Sequence, residues 1–455
     1  MTFQRFATVL LFLAIATAAC LMPAQSDTFW QLRAGQEMAA SGSVMLHDAF
    51  TYSVHGGFWP NHEWLSEVLF YGLWRVGGMP ALAAFAASMA LVAWVLVWRV
   101  MTGPALWRAA LILLVLIPTA KLWSVRPQVI SLALLATLLV LVTRERWRIV
   151  PMLFIAWANL HGGVMLGVIA LTGALAGRVA CTRSQWKPAA LVLAASVAAV
   201  CLTPLGVTIW VEVPHMLARL RSYGVAEWRA VDVADPLNIP FFVVAAALAG
   251  CALRRWHHLD RSQAALLGAA AALFAPALES DRNVAPFLIA AVAALSRMAP
   301  EMASRLERFE TSARQPRHLV FAIVAAAGCL ALVARTWARP PERMNWSPLP
   351  TAVAAAVEGC HGNLYNQYDN GGYLIWFAPR KPVFIDSRQD PFPPELVLAH
   401  RSVEMTGDYA ALFDRFHVEC AALPPVSPTA MALKRAGWRV LVEDRAWLVL
   451  AHATS

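Results

Sequence analysis

Residues 79–98 read MPALAAFAASMALVAWVLVW, twenty residues without a charged side chain. A membrane-spanning helix needs about 20 consecutive, mostly apolar residues, so this stretch predicts one crossing. Similar apolar runs recur along most of the chain. We predict about eleven spans, at 6–24, 79–98, 109–122, 127–143, 149–160, 162–177, 188–207, 238–253, 263–278, 284–296 and 318–335.

The composition supports a membrane protein. Hydrophobic residues make up 59% of the 455 positions and charged residues 14%, against about 45–50% and 25% in soluble proteins. The mean hydropathy is +0.55. These values exclude a cytosolic enzyme, a disordered chain and a collagen-like fibre. We predict a polytopic α-helical membrane domain at 1–335, with a first outer loop at 25–67, and a small α/β soluble domain at 345–455.

The distribution of charge predicts the orientation. The net charge is +9, yet residues 336–455 hold 11 basic and 12 acidic residues, so the positive excess lies earlier. It is concentrated in short loops such as 144–148 and 254–255, which the positive-inside rule places in the cytoplasm. The basic balance therefore predicts topology and no nucleic-acid partner. We expect a bacterial inner-membrane protein with a cytoplasmic N-terminus and a periplasmic C-terminal domain. Alternatively, residues 1–24 are a cleaved signal peptide, which leaves the later assignments unchanged.

In this topology the polar segments between spans face outward. A charged group at membrane depth costs about 2.5–3.5 kcal/mol on insertion scales, so charged residues beside apolar spans need a reason. An outward-facing site supplies one. The segments are 27–67, 124–128, 159–163, 227–229 and 279–283.

Two segments resemble a known superfamily. The stretch DTFWQLRAGQEMAASGSVMLHDAFTYS at 27–53 is similar to the opening outer loop of the GT-C superfamily of polyprenyl-phosphate-sugar glycosyltransferases, which includes the catalytic subunit of oligosaccharyltransferase. The segment 368–376, followed by Arg380 and 384–388, resembles the start of that subunit's soluble domain. Tandem tryptophans and an acidic pair in the second outer loop are missing, so a sequon-reading oligosaccharyltransferase is not expected.

The resemblance implies that an early loop carboxylate is catalytic. Asp27, the first acidic residue after the first span, is the candidate base that deprotonates an acceptor hydroxyl. Asp48 and Glu63 are candidate supporting groups. Alternatively, Asp27 is the N-cap of the helix-like stretch that follows it.

Transfer from a lipid phosphate also needs cationic groups on the leaving phosphate. Arg126 and Arg282 are the candidates, because a guanidinium matches phosphate in a bidentate geometry. His161, followed by two glycines, could bring a side chain and exposed backbone close to the leaving group. We expect Asp27, Arg126 and Arg282 to line one outer cavity.

Each of these residues has an alternative interpretation. Arg126 could end a helix before Pro127, Arg282 could pair with a neighbouring acid, and His161 could be a tight-turn residue. Glu279 and Asp281 could hold a divalent cation, since hard cations prefer carboxylates. The sequence contains no nucleotide-binding or zinc motif, so no other cofactor is predicted.

Residues 345–455 alternate between strand-like and helix-like patterns, which predicts a small α/β layer. We predict strands at 364–367, 383–385, 418–423 and 438–442, and helices at 393–404 and 429–436. Cys360 and Cys420 could form a disulfide in an oxidising periplasm, or remain buried thiols. The candidate acceptor-binding or supporting residues are Tyr368, Asp369, Asp386 and Arg388; the alternative is that they are turn and strand-end residues.

These patterns predict transfer of a sugar from a polyprenyl-phosphate donor to a glycan, lipid or protein acceptor on the outer face of the bilayer. One alternative is a polysaccharide-assembly or lipid-handling protein that has lost catalysis. Another alternative is a transporter. Two observations argue against it: few charged residues lie within the spans, and no repeated half is visible in the sequence.

Overall fold

The structure is a computed structural model that describes residues 1–182, 186–223, 228–307, 315–339 and 343–452. Arg183 and Glu227, in two of the predicted loops, lie outside these ranges. The helices of the N-terminal three quarters are α1 (Phe3–Cys20), α2 (Ser26–Ser41), α3 (Trp64–Val100), α4 (Ala105–Ala120), α5 (Gln128–Thr143), α6 (Val150–Leu160), α7 (Val164–Thr182), α8 (Trp186–Val200), α9 (Ile209–Tyr223), α10 (Ile239–Arg255), α11 (Arg261–Glu279), α12 (Val284–Met298), α13 (Pro300–Glu307) and α14 (Pro316–Trp337).

The chain is a polytopic membrane protein. Within the described ranges, six helices are long and apolar enough to cross a membrane, and a seventh span results if the bent pair α12–α13 is one crossing. Four apolar helices are shorter: Ala105–Ala120, Gln128–Thr143, Trp147–Leu160 and Trp186–Val200. Every predicted span overlaps one of these helices. The number of crossings stays a prediction.

Two compact units divide the chain. One contains Met1–Pro23, Met79–Thr208 and Val225–Arg339, and is called the helical unit below; the other contains Ala24–Gly78, Ile209–Gly224 and Pro340–Ser455, and is called the mixed unit. The division inside α3 falls at Gly77 and Gly78, where the backbone is not helical. Gly78 has φ 60° and ψ −154°, which side chains with a Cβ rarely adopt. The glycine pair therefore breaks α3 where one unit ends.

Small residues let two helices of the helical unit pack closely. A Cβ on Gly173 of α7 would lie 2.2 Å from the carbonyl oxygen of Gly268 of α11, and a Cβ on Gly268 would lie 2.1 Å from that of Gly173. Glycine at such a crossing lets two backbones touch, which is how helices gain packing energy in lipid. Beside this pair, α12 is buried almost throughout, so it forms the centre of the helical unit.

The mixed unit is built on a four-stranded sheet. Its C-terminal elements are α15 (Thr351–Glu358), β1 (Asn363–Asn366), α16 (Gly371–Phe377), α17 (Pro394–Thr406), α18 (Ala410–Phe416), β2 (Val418–Leu423), α19 (Pro428–Arg435), β3 (Arg439–Glu443) and β4 (Leu448–Ala451). The strand order is β1-β2-β4-β3. Strands β1 and β2 are parallel, whereas β4 is antiparallel to both β2 and β3.

One hydrophobic core joins the early segment to the sheet. Trp30, Phe50 and Trp59 pack in the same buried cluster as Leu364 of β1 and Val449 of β4. The predicted first outer loop therefore supplies a wall of the C-terminal domain. Burying large aromatic side chains contributes about 1.5–3 kcal/mol each, so the two segments stabilise each other.

The predicted elements of the tail are mostly confirmed. β1, β2 and β3 correspond to predicted strands, and α17 and α19 to both predicted helices. The predicted strand at 383–385 is wrong, because Val383 makes only an isolated parallel bridge with Thr51. Its backbone pairs with the early segment and not with the sheet. Strand β4 was not predicted.

A disulfide joins Cys360 to Cys420, which is one of the two alternatives that the sequence left open, and the two Cα atoms are 6.3 Å apart. It ties the segment before β1 to β2. The five other cysteines are free thiols: Cys20, Cys181, Cys201, Cys251 and Cys329. We expect thiol labelling of the denatured protein to modify five cysteines before reduction and seven after it. Cys420→Ala should expose Cys360 as a sixth reactive thiol.

This disulfide closes a loop of about 60 residues, so chain-entropy arguments predict that its loss destabilises the mixed unit by about 4 kcal/mol. We therefore expect a lower melting temperature for Cys420→Ala than for Cys329→Ala, which removes a free thiol. Equal melting temperatures, or seven reactive cysteines before reduction, would contradict the bond.

Candidate functional site

Asp27 lies in the first turn of α2. The prediction that it caps this helix is wrong: the N-cap is Gln25, whose backbone is extended with φ −116° and ψ 167°. The Gln25 amide donates to the Thr28 hydroxyl over 3.4 Å. The helix thus begins at Ser26, two residues earlier than an N-cap at Asp27 would require. A carboxylate in the first turn is still stabilised by the helix dipole.

Two side chains hold the carboxylate of Asp27. The indole Nε1 of Trp30 donates to its Oδ1 over 3.3 Å, and the hydroxyl of Ser387 donates to the same oxygen. Asp27 and Ser387 are both partly exposed. The phenol of Tyr368 donates to the Ser387 carbonyl over 3.2 Å. Burial, with the nearby charges of Asp27 and Asp386, raises the pKa of Tyr368 well above its usual value, so the phenol keeps its proton.

Two glycines bring Asp27 and Ser387 together. The Gly372 amide donates to the Ser26 hydroxyl over 3.1 Å, and a Cβ on Gly372 would lie 2.1 Å from the Ser26 carbonyl oxygen. A Cβ on Gly371 would lie 2.3 Å from the Ile385 carbonyl oxygen. Both distances are far below a van der Waals contact. This glycine pair therefore packs against backbone on both sides and sets the start of α2 beside the segment after Ile385.

Gly372→Ala should disrupt this contact, because its Cβ would overlap the Ser26 carbonyl. We expect a large drop in the melting temperature of the purified protein in detergent. The matched control is Gly72→Ala in α3, where no atom beyond the adjoining helix backbone lies within 4 Å of the added Cβ and alanine favours a helix by up to about 1 kcal/mol. A Gly372→Ala variant as stable as Gly72→Ala would contradict the close approach.

A buried ion triad lies next to this contact. The Arg388 guanidinium bonds Asp386 through Nε at 2.8 Å and Nη2 at 2.6 Å, and Asp48 through Nη2 at 2.5 Å. All three side chains are fully buried. Trp59 and Phe50 lie 4.7 Å and 5.0 Å from the guanidinium carbon. Burial raises the pKa of Asp386 despite its partner, so the paired arginine is what offsets the buried charge.

A second cluster of acidic residues, Glu63, Glu67 and Asp390, lies close by. Of these three, only Glu63 was predicted from the sequence as a site residue. Gln31 Nε2 donates to Glu63 at 2.9 Å, and Asn61 Nδ2 donates to Glu67 at 2.7 Å. His62 Nδ1 lies 3.8 Å from a carboxylate oxygen of Asp390. The spacing Glu63-x3-Glu67, one helical turn, was the available signal for Glu67. Nothing local distinguishes Asp390, which meets this group only through the fold.

Burial, with a smaller contribution from the charge of Glu63, raises the pKa of Asp390 to about 7. The charges of His62, Arg388 and Arg219 lower this pKa, but the effect of burial is larger. The unfolded chain ionises this carboxyl near pH 3.9. The folded protein therefore keeps a proton that the unfolded chain loses. The protonated Asp390 therefore contributes to the free energy of unfolding. This contribution is fully present below about pH 4 and is lost as the pH rises through 7.

Asp390→Asn, which mimics the protonated carboxyl, should remove this loss. We expect the variant to gain stability relative to the natural chain between pH 4 and 7, by at most about 4 kcal/mol. Melting temperatures across pH 4–8 provide the measurement, with the exposed Asp408→Asn as control. Parallel curves for Asp390→Asn and the natural chain would contradict the raised pKa.

In the helical unit, the two predicted arginines meet at one amide. In the orientation that satisfies both ends of the Gln128 side-chain amide, its oxygen faces the two arginines. This oxygen accepts from Arg126 Nη2 at 2.7 Å and Nε at 3.1 Å, and also from Arg282. Arg126 is 9% exposed. The Arg282 guanidinium carbon lies 5.0 Å from the centre of the Trp228 ring. Two positive charges far apart in sequence are thus held side by side at the start of α5.

The two acids near Arg282 have different surroundings. Asp281 pairs with Lys121 at 2.9 Å, and Glu279 is exposed. Among the described residues, no group of three or more His, Cys, Asp or Glu side chains could hold a metal ion. A cation site made by Glu279 and Asp281 alone stays a prediction.

His161 ends α6 and starts the predicted turn. Its Nδ1 accepts from the Gly163 amide at 3.0 Å and lies 2.7 Å from the Ser131 hydroxyl. The Trp157 indole donates to that hydroxyl over 2.7 Å. Because Nδ1 accepts, a neutral ring carries its proton on Nε2. A Cβ on Gly163 would lie 2.7 Å from Nδ1, so this glycine is needed for the turn.

The candidate residues are divided between the units. The mixed unit holds Asp27, Asp48, Glu63, Tyr368, Asp369, Asp386 and Arg388; the helical unit holds Arg126, His161 and Arg282. The structure pairs Arg126 with Arg282 and groups Asp27 with the C-terminal residues. A single cavity for all of them stays a prediction.

Comparison with solved structures identifies the fold. The oligosaccharyltransferase of Archaeoglobus fulgidus, tethered with an acceptor peptide containing the NVT sequon, aligns at a TM-score of 0.58 and 11% identity, over 92% of this chain and 68% of that chain. The archaeal oligosaccharyltransferase AglB from the same organism, in complex with an inhibitory peptide and a dolichol-phosphate, aligns at a TM-score of 0.51 and 12% identity, over 92% and 69%. The chain has the GT-C fold.

The expected GT-C resemblance is therefore confirmed at the level of the fold. ArnT from Cupriavidus metallidurans in the apo state aligns over 96% of each chain with 14% identity and a TM-score of 0.49. No protein-family model matches the sequence, and no curated protein matches it.

Proposed function

We propose that this GT-C protein transfers a sugar from a polyprenyl-phosphate donor to an acceptor hydroxyl. The observation that carries the proposal is that Arg126 and Arg282 both contact the side-chain amide of Gln128. Guanidinium groups form strong, charge-assisted hydrogen bonds with phosphate oxygens, so two of them held side by side are suited to a bound phosphate. A structural neighbour with the same fold is complexed with dolichol-phosphate, which supports a lipid phosphate as the ligand.

In this proposal Asp27 is the general base. Its carboxylate accepts the proton of the acceptor hydroxyl as that oxygen bonds the anomeric carbon of the sugar. The bond from this carbon to the phosphate oxygen breaks, and the lipid phosphate leaves with the electron pair. Arg126 and Arg282 stabilise the charge that builds on the phosphate, and the Nε2 proton of His161 is a further donor. General-base catalysis of this kind contributes about 10²–10⁴-fold.

The remaining residues have two proposed roles. Tyr368 and Asp369 lie in a short turn before α16. We assign this turn to acceptor binding, because Asp369 is exposed and Tyr368 is partly exposed. Asp386 and Arg388 are fully buried with Asp48, and Glu63 is 8% exposed. We assign these four a supporting role, because all four are buried.

We place the reaction on the periplasmic face of the bacterial inner membrane. The disulfide between Cys360 and Cys420 supports an oxidising compartment for the mixed unit, and the basic loops support the same orientation. The acceptor is then a glycan, lipid or protein that is accessible from the periplasm.

Asp27→Asn should lower transfer at least 100-fold, since the amide cannot take the proton. Membranes containing the full chain supply the native acceptor, and synthetic polyprenyl-phosphate sugars with a radiolabelled hexose or pentose supply the donor. The label that leaves the lipid phase is counted. Asp408→Asn, an exposed acid of the mixed unit, is the matched control and should retain the natural rate.

Arg126→Gln and Arg282→Gln should each weaken binding of dolichol phosphate by about tenfold or more, measured as the ligand-dependent rise in melting temperature. Arg254→Gln, an exposed arginine at the end of α10, is the control. Natural transfer by a correctly inserted Asp27→Asn variant would refute the base assignment. Unchanged dolichol phosphate binding in both arginine variants would refute the phosphate assignment.

A further inference from the structure

Ser387 is an unexpected neighbour of the proposed base. Its hydroxyl donates to Oδ1 of Asp27 although the two residues are 360 positions apart. Sequence reasoning selected Asp386 and Arg388 on either side of it and passed over Ser387. Its side chain is partly exposed, unlike those neighbours, so it lies on the open side of the buried triad.

The backbone around Ser387 is held from several directions. The Asn366 side chain donates to the Ile385 carbonyl over 2.7 Å, and Tyr368 donates to the Ser387 carbonyl over 3.2 Å. The amide of Arg388 donates to the Asp386 carboxylate over 2.9 Å. These bonds fix the backbone on both sides of Ser387, and the Ser387 hydroxyl then contacts Asp27.

The residue after Arg388 is strained. Gln389 has φ 70°, a left-handed conformation that non-glycine residues adopt at a cost. Such strain persists where the surrounding contacts over-determine the backbone, which the buried ion triad does on one side and the Asn366 bond on the other. The turn is therefore a rigid support rather than an adaptable loop.

We propose that Ser387 is a positioning residue that fixes the rotation of the Asp27 carboxylate toward the acceptor hydroxyl. The inference rests on the proposed role of Asp27 as base. A carboxylate at the start of a helix can rotate about two side-chain torsions, and only part of that range points a lone pair at the substrate. Donors from Trp30 and Ser387 to the same oxygen restrict both torsions. Such preorganisation acts on the rate of the chemical step.

The test compares Ser387→Ala, Ser387→Thr and Asp27→Asn in the membrane assay with polyprenyl-phosphate sugars. We expect Ser387→Ala to lower kcat about tenfold, the size of one orienting hydrogen bond, with KM for the lipid donor unchanged. Ser387→Thr keeps the hydroxyl and should restore most of kcat. Ser402→Ala, at an exposed serine of α17, should match the natural chain. Melting temperatures report whether each variant folds, and Ser387→Cys, which is similar in size but a weak donor, replaces Ser387→Ala if the latter does not fold.

The double variant Asp27→Asn/Ser387→Ala separates positioning from an independent effect. It should be no slower than Asp27→Asn, because Ser387 acts through that carboxylate. If Ser387→Ala has the natural kcat while Asp27→Asn is inactive, the positioning role of Ser387 is overturned and the assignment of Asp27 as base stands. A full additional loss in the double variant would also overturn the positioning role. A natural rate for Asp27→Asn would instead remove the base assignment, and the role of Ser387 with it.

Discussion

The guanidinium of Arg388 is the interaction around which the mixed unit is organised. Burying an arginine is costly, and carboxylates that pair with its guanidinium offset much of that cost. Here Asp386 comes from the same turn and Asp48 from 340 residues away. Because removing one partner of a buried pair costs about 3–5 kcal/mol, the early segment and the C-terminal domain are bound to each other by charge as well as by their shared hydrophobic core.

The triad has geometric consequences beyond its own energy. Pairing with Asp48 brings the early segment alongside Val383, where Thr51 makes a parallel bridge and the Val383 amide donates to the Phe50 carbonyl over 3.0 Å. The turn that carries Arg388 then carries Ser387 to Asp27. The absence of side chains at Gly371 and Gly372 allows this approach. The ion triad, the backbone pairing and the two glycines thus together place the Ser387 turn beside the carboxylate of Asp27.

The helical unit shows a different arrangement of charge. Arg126 and Arg282 both contact the side-chain amide of Gln128, and Arg282 also lies over the Trp228 ring. Guanidinium groups gathered in this way are suited to an anionic ligand, which is the role that we propose for this pair. Arg388 is fully buried with two acids, and its proposed role is to support the fold.

Local pattern and composition were enough for the apolar helices, for strands β1, β2 and β3 and for the turn at His161. Each of these follows from hydropathy or from short-range periodicity. The sequence offered a disulfide between Cys360 and Cys420 only as one of two alternatives. The tertiary structure alone decided the partners of Arg388, the contact of Ser387 with Asp27, and the pairing of residues 383–385 with the early segment in place of the sheet. Contacts across more than 300 residues leave no periodic trace in the sequence, since they arise only when separate segments are buried against one another.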